Sequence, residues 1–240
     1  MNVLTIADID RSLLFFLNGS DSLFYDNFMS VLTSGFTWIP LYIALLAIVI
    51  KNNETMTQIL LIVGCALLCV VIADGVADFI AKPYFQRWRP CNDPIIKYDV
   101  QVVGNERGGK YGFFSAHAAN TFSLALFFCM LVRNKLLTTV MLGWSLLNCY
   151  TRIYLGMHYP GDIVCGIAWG AVSGLIAYGV YFRIYYRISP KINYVSTQYS
   201  STGGIGVSFY FDVCVIEGSN MILNKLLLSA AAQIKYTVNH

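Results

Sequence analysis

The sequence predicts an all-α membrane protein, a polytopic bundle of five to six spans preceded by a helix at the membrane interface. Of its 240 residues, 57% are hydrophobic and 12% are charged, whereas a soluble domain usually has about 25% charged residues. Long apolar stretches also recur, and residues 60–73 show no polar face with a helical period. Membrane helices explain both observations better than a soluble core does.

Five apolar segments are predicted to cross the bilayer, because each is near the roughly 20 residues that span about 30 Å of hydrocarbon. In chain order they are residues 36–50, 57–80, 115–132, 136–150 and 160–182. Ahead of them, residues 9–29 mix leucine and phenylalanine with Asp and Arg. That mixture is typical of one helix, or two short ones, lying in the interface.

The chain divides into a membrane-embedded domain, residues 1–188, and a C-terminal tail, residues 189–240. The tail begins with Ser, Thr, Tyr and Gly and then becomes apolar again. Both a sixth span and an interfacial helix fit it.

Lys and Arg in the short connections indicate the orientation. Lys51, Arg133 and the cations after residue 182 put three connections on one side, which we take as cytoplasmic. The loop 82–114 and the turn 151–159 then share the opposite face. That loop carries six cations of its own, which conflicts with the rule. We expect several of them to bind a ligand, while three carboxylates offset others.

Charge and cysteine content argue against a nucleic-acid-binding protein and against a zinc protein. A net charge of +3 is too small and too scattered to indicate nucleic-acid binding. Of seven cysteines, five lie within predicted spans and behave as small apolar residues, while Cys91 stands alone in the outer loop. The chain has no zinc-ligand spacing, so we predict neither a metal site nor a cofactor.

The first polar cluster is Lys82 with Arg89 and Pro90. Asp74, Asp78 and Lys82 recur at intervals of four, so they share a helix face and Asp78 can brace the ammonium. Taken alone, Lys82 is explained by a lysine that snorkels to the membrane interface and anchors the end of the helix. An acidic residue within a span, however, costs roughly 2.5–3.5 kcal/mol and usually faces a bundle interior. Arg89 offers a fork of donors matched to phosphate oxygens.

The second cluster is Ser115 with His117, after a glycine-bearing loop. Ser115 stands where an N-cap residue would, and the free amides at a helix start bind anions. His117 lies in the first turn, facing whatever those amides bind. Taken alone, this cluster fits a plain helix cap and an interfacial histidine equally well.

The third cluster is Arg152, His158 and Asp162, with Pro160 in the first turn of the fifth span. Asp162 lies four residues past His158 and can accept a hydrogen bond from one ring nitrogen, which leaves the other as a nucleophile. A lone His–Asp pair is often structural, but the nearby arginine favours chemistry. Across the clusters, two histidines, three cations, a hydroxyl and a carboxylate suffice for phosphoryl transfer without metal.

The clusters resemble the three signature motifs of the type 2 phosphatidic acid phosphatase superfamily: Lys-x6-Arg-Pro, Pro-Ser-Gly-His and Ser-Arg-x5-His-x3-Asp. The order and internal spacing are kept across residues 74–166. Phe114, Ala116 and Thr151 stand where the family has Pro, Gly and Ser. No charged or ring group is lost, so these departures bear on substrate preference more than on activity.

The resemblance implies a helical bundle that acts as a metal-independent phosphatase through a phosphohistidine. His158 would attack phosphorus, Asp162 would orient its ring, and His117 would protonate the leaving oxygen and then activate water. The residues implied to hold the phosphoryl oxygens are Lys82, Arg89, Ser115, Ala116 through its amide, and Arg152.

The implied partner is a lipid phosphate in a bacterial plasma membrane, with the site facing the periplasm or exterior. Undecaprenyl diphosphate is favoured and lipid A follows closely; phosphatidylglycerol phosphate and phosphatidic acid stay open. The surplus cations Arg87, Arg107 and Lys110 would suit a second phosphate, and a solvated loop explains them about as well. The sequence does not indicate an oligomeric state.

Two rival classes are weaker. Related haloperoxidases hold vanadate in the same pocket, but they are soluble and far less apolar. A transporter using Asp74 and Asp78 would leave His158 and Asp162 unexplained.

Overall fold

The computed structural model describes residues 5–105 and 107–188, so the predicted tail lies outside the described residues. Seven helices form this part of the chain, with one isolated bridge between Trp88 and Tyr111 in place of a sheet. They are α1 Ile6–Leu17, α2 Leu23–Thr33, α3 Ile39–Lys51, α4 Met56–Phe85, α5 Ala116–Val132, α6 Lys135–Tyr154 and α7 Pro160–Ile188.

The all-helical prediction is confirmed for the described residues, and each predicted span lies in helical structure. By length and composition, α4 and α7 qualify to cross a membrane. The helices Leu23–Thr33 and Gly35–Lys51, which meet at a 65° bend, make a third if they form one span. Helix α5 is apolar but has only 17 residues, about 25 Å at 1.5 Å per residue. Two or three spans are therefore supported, fewer than the five to six predicted.

The N-terminal segment predicted to lie in the interface folds as two helices, α1 and α2. A turn separates them, and in it Gly19 has a φ of +64°, a left-handed conformation that suits glycine. The placement of these helices at a membrane surface stays a prediction.

Local sequence signals explain where the helices begin. Thr55 and Gln58 form a reciprocal capping box at the start of α4. The Asn134 side chain accepts a hydrogen bond from Leu137 N and caps α6. Pro160 is the first residue of α7, where its missing N–H is not needed.

Helices α5 and α7 pack backbone to backbone, and this contact positions the site. A β-carbon on Gly166 would come within 2.6 Å of the carbonyl oxygen of Ser115, the N-cap residue of α5. One on Gly170 would come within 2.6 Å of a carbonyl oxygen of α5, and one on Gly174 within 2.8 Å. Glycines four residues apart let membrane helices approach this closely. Because the contact reaches the N-terminal ends of both helices, Ser115 N donates to the Asp162 carbonyl at 3.1 Å.

Candidate active site

His158 lies in the short connection between α6 and α7 and is only 2% exposed. Two consecutive amides, those of Met157 and His158, donate to the Arg152 carbonyl oxygen at 3.1 and 3.2 Å. Gly156 has a φ of +69° just before them, a conformation that glycine adopts without strain. This tight turn brings the backbone of His158 back to that of Arg152.

The Nε2 atom of His158 lies 3.4 Å from Nη1 of Arg89. A guanidinium has donors only, so Nε2 must accept through its lone pair. This contact favours the neutral ring with its proton on Nδ1, which is the tautomer that a nucleophilic Nε2 needs. A phosphoryl group bound between Arg89 and the ring would meet that lone pair.

The opposite ring nitrogen faces Asp162, a carboxylate with 0% exposure. His158 Nδ1 and Asp162 Oδ2 are 3.7 Å apart, which is longer than a hydrogen bond. The expected His–Asp hydrogen bond is therefore not formed in this structure. Asp162 accepts instead from two other donors: Tyr159 N reaches Oδ2 at 3.1 Å and Arg87 Nη1 reaches Oδ1 at 2.7 Å.

The surroundings of His158 disfavour its charged form. Burial is the largest cause that lowers its pKa well below the ordinary value, and the charges of Arg89, Arg152 and Lys82 add to it. The backbone of Gly112 opposes this shift more weakly. A neutral imidazole next to three cations is suited to attack an anion held by those cations.

The three predicted phosphate-binding cations come from separate elements, and the charge of each acts on this ring. Lys82, near the end of α4, forms the expected ion pair with Asp78 one turn earlier. Arg89 follows in the loop, where its Nε donates to the Tyr111 carbonyl at 3.3 Å. Arg152 is buried at the end of α6, and its Nη1 donates to the Thr33 hydroxyl at 3.0 Å.

The second cluster forms the start of α5. Ser115 is buried at the N-cap, and its Oγ accepts from Ala118 N at 3.4 Å. Ala116 and His117 follow as the first residues of the helix, whose amides have no acceptor within the helix itself. Since the adjoining Ser115 amide contacts α7, these amides lie close to the His158 turn. This is the arrangement expected of an anion site.

His117 is exposed and lines a pocket of about 140 Å³ whose lining mixes polar and apolar side chains. A second cavity, of about 280 Å³, has an almost wholly apolar lining contributed by α3, α4, α5 and α6. Tyr42 and Trp144 line both. The apolar cavity therefore adjoins the mixed pocket beside His117.

The surplus cations have partners that the sequence did not indicate. Arg87 forms ion pairs with Asp162 and with Asp10 of α1. Arg107 donates to the Cys91 carbonyl at 2.5 Å, and Lys110 lies 4.6 Å over the Trp88 ring. Arg87 is engaged by protein carboxylates, which corrects the suggestion that it serves a second phosphate. No local spacing links residues 10, 87 and 162, so this network was missed.

Two of the three departures from the motifs have packing roles. Phe114 is buried, and its ring lies 6.3 Å from that of Trp169 on α7. Thr151 is fully buried, and its hydroxyl donates to the Asn148 carbonyl at 2.7 Å.

Asp74, the acidic residue within α4, accepts from the Asn120 side chain of α5 at 2.8 Å, so it does face the bundle interior.

Comparisons with known proteins show the family to which this chain belongs. A family model described as the PAP2 superfamily matches residues 59–186. A lipid A 4'-phosphatase of Bacteroides thetaiotaomicron is 39% identical over 185 residues, covering 76% of this chain and 81% of that protein. A lipid A 4'-phosphatase of Porphyromonas gingivalis is also 39% identical, over 73% of this chain and 74% of its own length.

Among solved structures, the crystal structure of LpxE from Aquifex aeolicus superposes with a TM-score of 0.52. It covers 74% of this chain and 98% of its own, at 19% sequence identity, and so supports the fold alone.

The chain belongs to the PAP2 superfamily and is a membrane lipid phosphatase of that type.

Proposed function

We propose that this protein removes the 4'-phosphate from lipid A. The observation that carries the proposal is the 39% identity to two lipid A 4'-phosphatases over about three quarters of the chain. Aligned stretches of 185 and 176 residues in a chain of 240 necessarily span residues 82–162, which hold the three motifs. The relatives thus favour lipid A over undecaprenyl diphosphate, which the sequence alone had put first.

In the first step, Nε2 of His158 attacks phosphorus and the bond from phosphorus to the sugar oxygen breaks. His117 gives its proton to that departing oxygen. The lone pair on Nε2 and the position of Arg89 at 3.4 Å support this direction of attack. Arg89 then turns from the ring to the phosphoryl oxygens, because the ring nitrogen is now bonded to phosphorus.

In the second step, water attacks the phosphohistidine and His117 takes up its proton. The bond from Nε2 to phosphorus breaks, and inorganic phosphate leaves. The charges of Lys82, Arg89 and Arg152, with the amide of Ala116 and the Ser115 hydroxyl, stabilise the transferring group through both steps. Every role is filled by a side chain or amide of this chain, so the mechanism needs no metal.

A lipid substrate also needs room for its chains. The apolar cavity of about 280 Å³ that adjoins the His117 pocket supports a lipid ligand. Apolar walls with a few polar groups at one end are typical of such sites. The positions of Lys and Arg in the short connections support a site on the outer face of a bacterial plasma membrane.

The test is phosphate release by detergent-purified protein from lipid A in excess chelator, with undecaprenyl diphosphate, phosphatidylglycerol phosphate and phosphatidic acid as competitors. We expect lipid A to be the preferred substrate, and mass spectrometry of the product to show loss of the 4'-phosphate only. His158→Ala serves as the inactive control.

Two results would contradict the proposal. A higher kcat/KM on another lipid of the panel would reject lipid A as the substrate but keep the reaction class. A requirement for added magnesium would reject the metal-free mechanism.

A further inference from the structure

Helix α1 turns one face toward the active site. Asp10, Leu14 and Asn18 recur every four residues and so lie on that face. Leu14 is fully buried in a cluster with residues of α5, α6 and α7. The Asn18 amide donates to the Tyr154 carbonyl, at the end of α6, at 2.8 Å. These contacts hold α1 against the elements that carry the third motif.

Asp10 is 9% exposed and uses both carboxylate oxygens. Oδ1 accepts from the Gly161 amide at 2.7 Å, in the first turn of α7. Oδ2 accepts from Nη2 of Arg87. The carboxylate of α1 therefore joins the start of α7 to the loop that follows α4.

Arg87 lies between two carboxylates. Its Nη1 donates to Asp162 at 2.7 Å and its Nη2 to Asp10. Its guanidinium carbon is also 4.2 Å from the centre of the Tyr159 ring. Burial lowers the pKa of Arg87, but the nearby carboxylates outweigh it and raise the pKa overall. The guanidinium is thus held in one orientation by contacts on two edges and one face.

We propose that Arg87 and Asp10 form a positioning pair for the nucleophile. Arg87 compensates the buried charge of Asp162 and keeps its second oxygen, Oδ2, turned toward His158, while Asp10 holds Arg87 in that orientation. The inference rests on the proposed role of His158.

The physical reason is the burial of Asp162. A carboxylate with no exposure is costly unless a cation and hydrogen bonds compensate it. Arg87 is the cation that donates directly to Asp162. Without it, a protonated or rotated carboxyl group would no longer present a negative oxygen to Nδ1 of His158. The imidazole would then lose the group that selects its tautomer and stabilises positive charge on the ring.

The first test is Arg87→Met, which keeps a long side chain and removes the charge. We expect kcat on lipid A to fall about 10²-fold, the scale of a small misplacement of reacting groups, with KM within about threefold of the wild type. Arg87→Lys should recover part of kcat, because one ammonium can reach Asp162 but cannot bridge two carboxylates. Asp99→Asn is the control, since Asp99 is an exposed carboxylate in the same outer loop.

The second test uses the contact between Gly161 and Asp10. A β-carbon on Gly161 would lie 2.9 Å from Asp10 Oδ2, so Gly161→Ala should displace the carboxylate. Asp10→Ala and Gly161→Ala should each lower kcat about tenfold. The double variant should be no slower than Asp10→Ala, because the group that is displaced is already gone.

The outcomes separate positioning from other roles. Wild-type turnover and its loss in His158→Ala are measured first, so a failure of the proposed function appears there. A rise in KM with unchanged kcat in Arg87→Met would make Arg87 a substrate ligand and overturn the pair. The pair is also overturned if phosphoenzyme forms at the wild-type rate in Arg87→Met, or if activity falls only in proportion to folded protein, as measured by thermal unfolding.

Discussion

The two histidines of the site lie in unlike surroundings. His158 is almost fully buried, with Arg89 on one ring nitrogen and Asp162 near the other. His117 is exposed and lines a pocket of mixed polar and apolar side chains next to an apolar cavity. The buried half of the site rests on the close contact between α5 and α7, and the open half faces α3, α4 and α6.

This difference matches two chemical tasks. A nucleophile needs a set orientation and a free lone pair, which burial and fixed neighbours provide. A group that protonates a leaving oxygen and later activates water needs access to both, which a pocket provides. Substitutions at single residues test this contrast between the two halves of the site.

The largest effect is expected from His158→Ala, which removes the nucleophile of the buried half. We expect phosphate release to fall on the order of 10⁴-fold or more, and no phosphoenzyme to form. Rapid acid quench with radiolabelled substrate measures both quantities. Turnover near the wild-type rate would rule out His158 as the nucleophile.

His117→Ala tests the open half. The loss of a general acid and base should slow turnover by about 10²–10⁴-fold. Because the water-activating group is lost while His158 remains, phosphoenzyme should accumulate, and the same quench experiment detects it. Slow turnover with no trapped phosphoenzyme at any time would assign the water-activating role elsewhere.

Gly170→Ala tests the helix contact beneath the buried half. Its β-carbon would meet the Ala119 carbonyl oxygen at 2.6 Å, so α5 and α7 must separate. We expect the free energy of unfolding to fall by about 1–3 kcal/mol, with activity lowered as well. Gly179→Ala on the same helix is the matched control, because a β-carbon there meets nothing within 4 Å. Equal unfolding temperatures for the two variants would show that the contact is not tight.

Ala66→Phe tests whether the apolar cavity of the open half accommodates substrate chains. The larger side chain would occupy part of the cavity that Ala66 lines. We expect KM for a long-chain lipid to rise about tenfold, which corresponds to a loss of about 1.4 kcal/mol in binding free energy. A short-chain phosphate should be unaffected. Val71→Phe, at an exposed position of the same helix, is the control. An equal rise in KM for both chain lengths would place the chains outside the cavity.

The smallest effect is expected from pH. Burial and the neighbouring cations lower the pKa of His158 well below its ordinary value. The neutral ring therefore persists as the pH falls through 6.5, and protonation of the nucleophile should not reduce kcat/KM between pH 8 and 6.5. An unshifted histidine would lose about half its neutral form at pH 6.5. The prediction is wrong if kcat/KM falls by about half at pH 6.5 and titration of the substrate phosphate does not account for the fall.

Local spacing accounts for the parts of the site that could be predicted. The Asp78–Lys82 ion pair and the Ser115 cap depend on residues within four positions of each other. The glycines of α7 give no local sign of which helix they contact, so the contact with α5 is known only from the structure. The missing His158–Asp162 hydrogen bond shows the limit of such reasoning, because the position of Asp162 also depends on Arg87, 75 residues away.

The sequence alone predicted the helical membrane class, the order of the three motifs and the residues that we propose carry chemistry. Only the tertiary structure shows that Arg87 pairs with Asp162, whereas Arg89 lies beside His158. Arg87 and Arg89 are the same residue type in the same loop, yet one faces two carboxylates and the other faces His158. Their roles differ because α1 brings Asp10 to one of them. A contact between residues 10 and 87 depends on the path of the whole chain and leaves no local pattern.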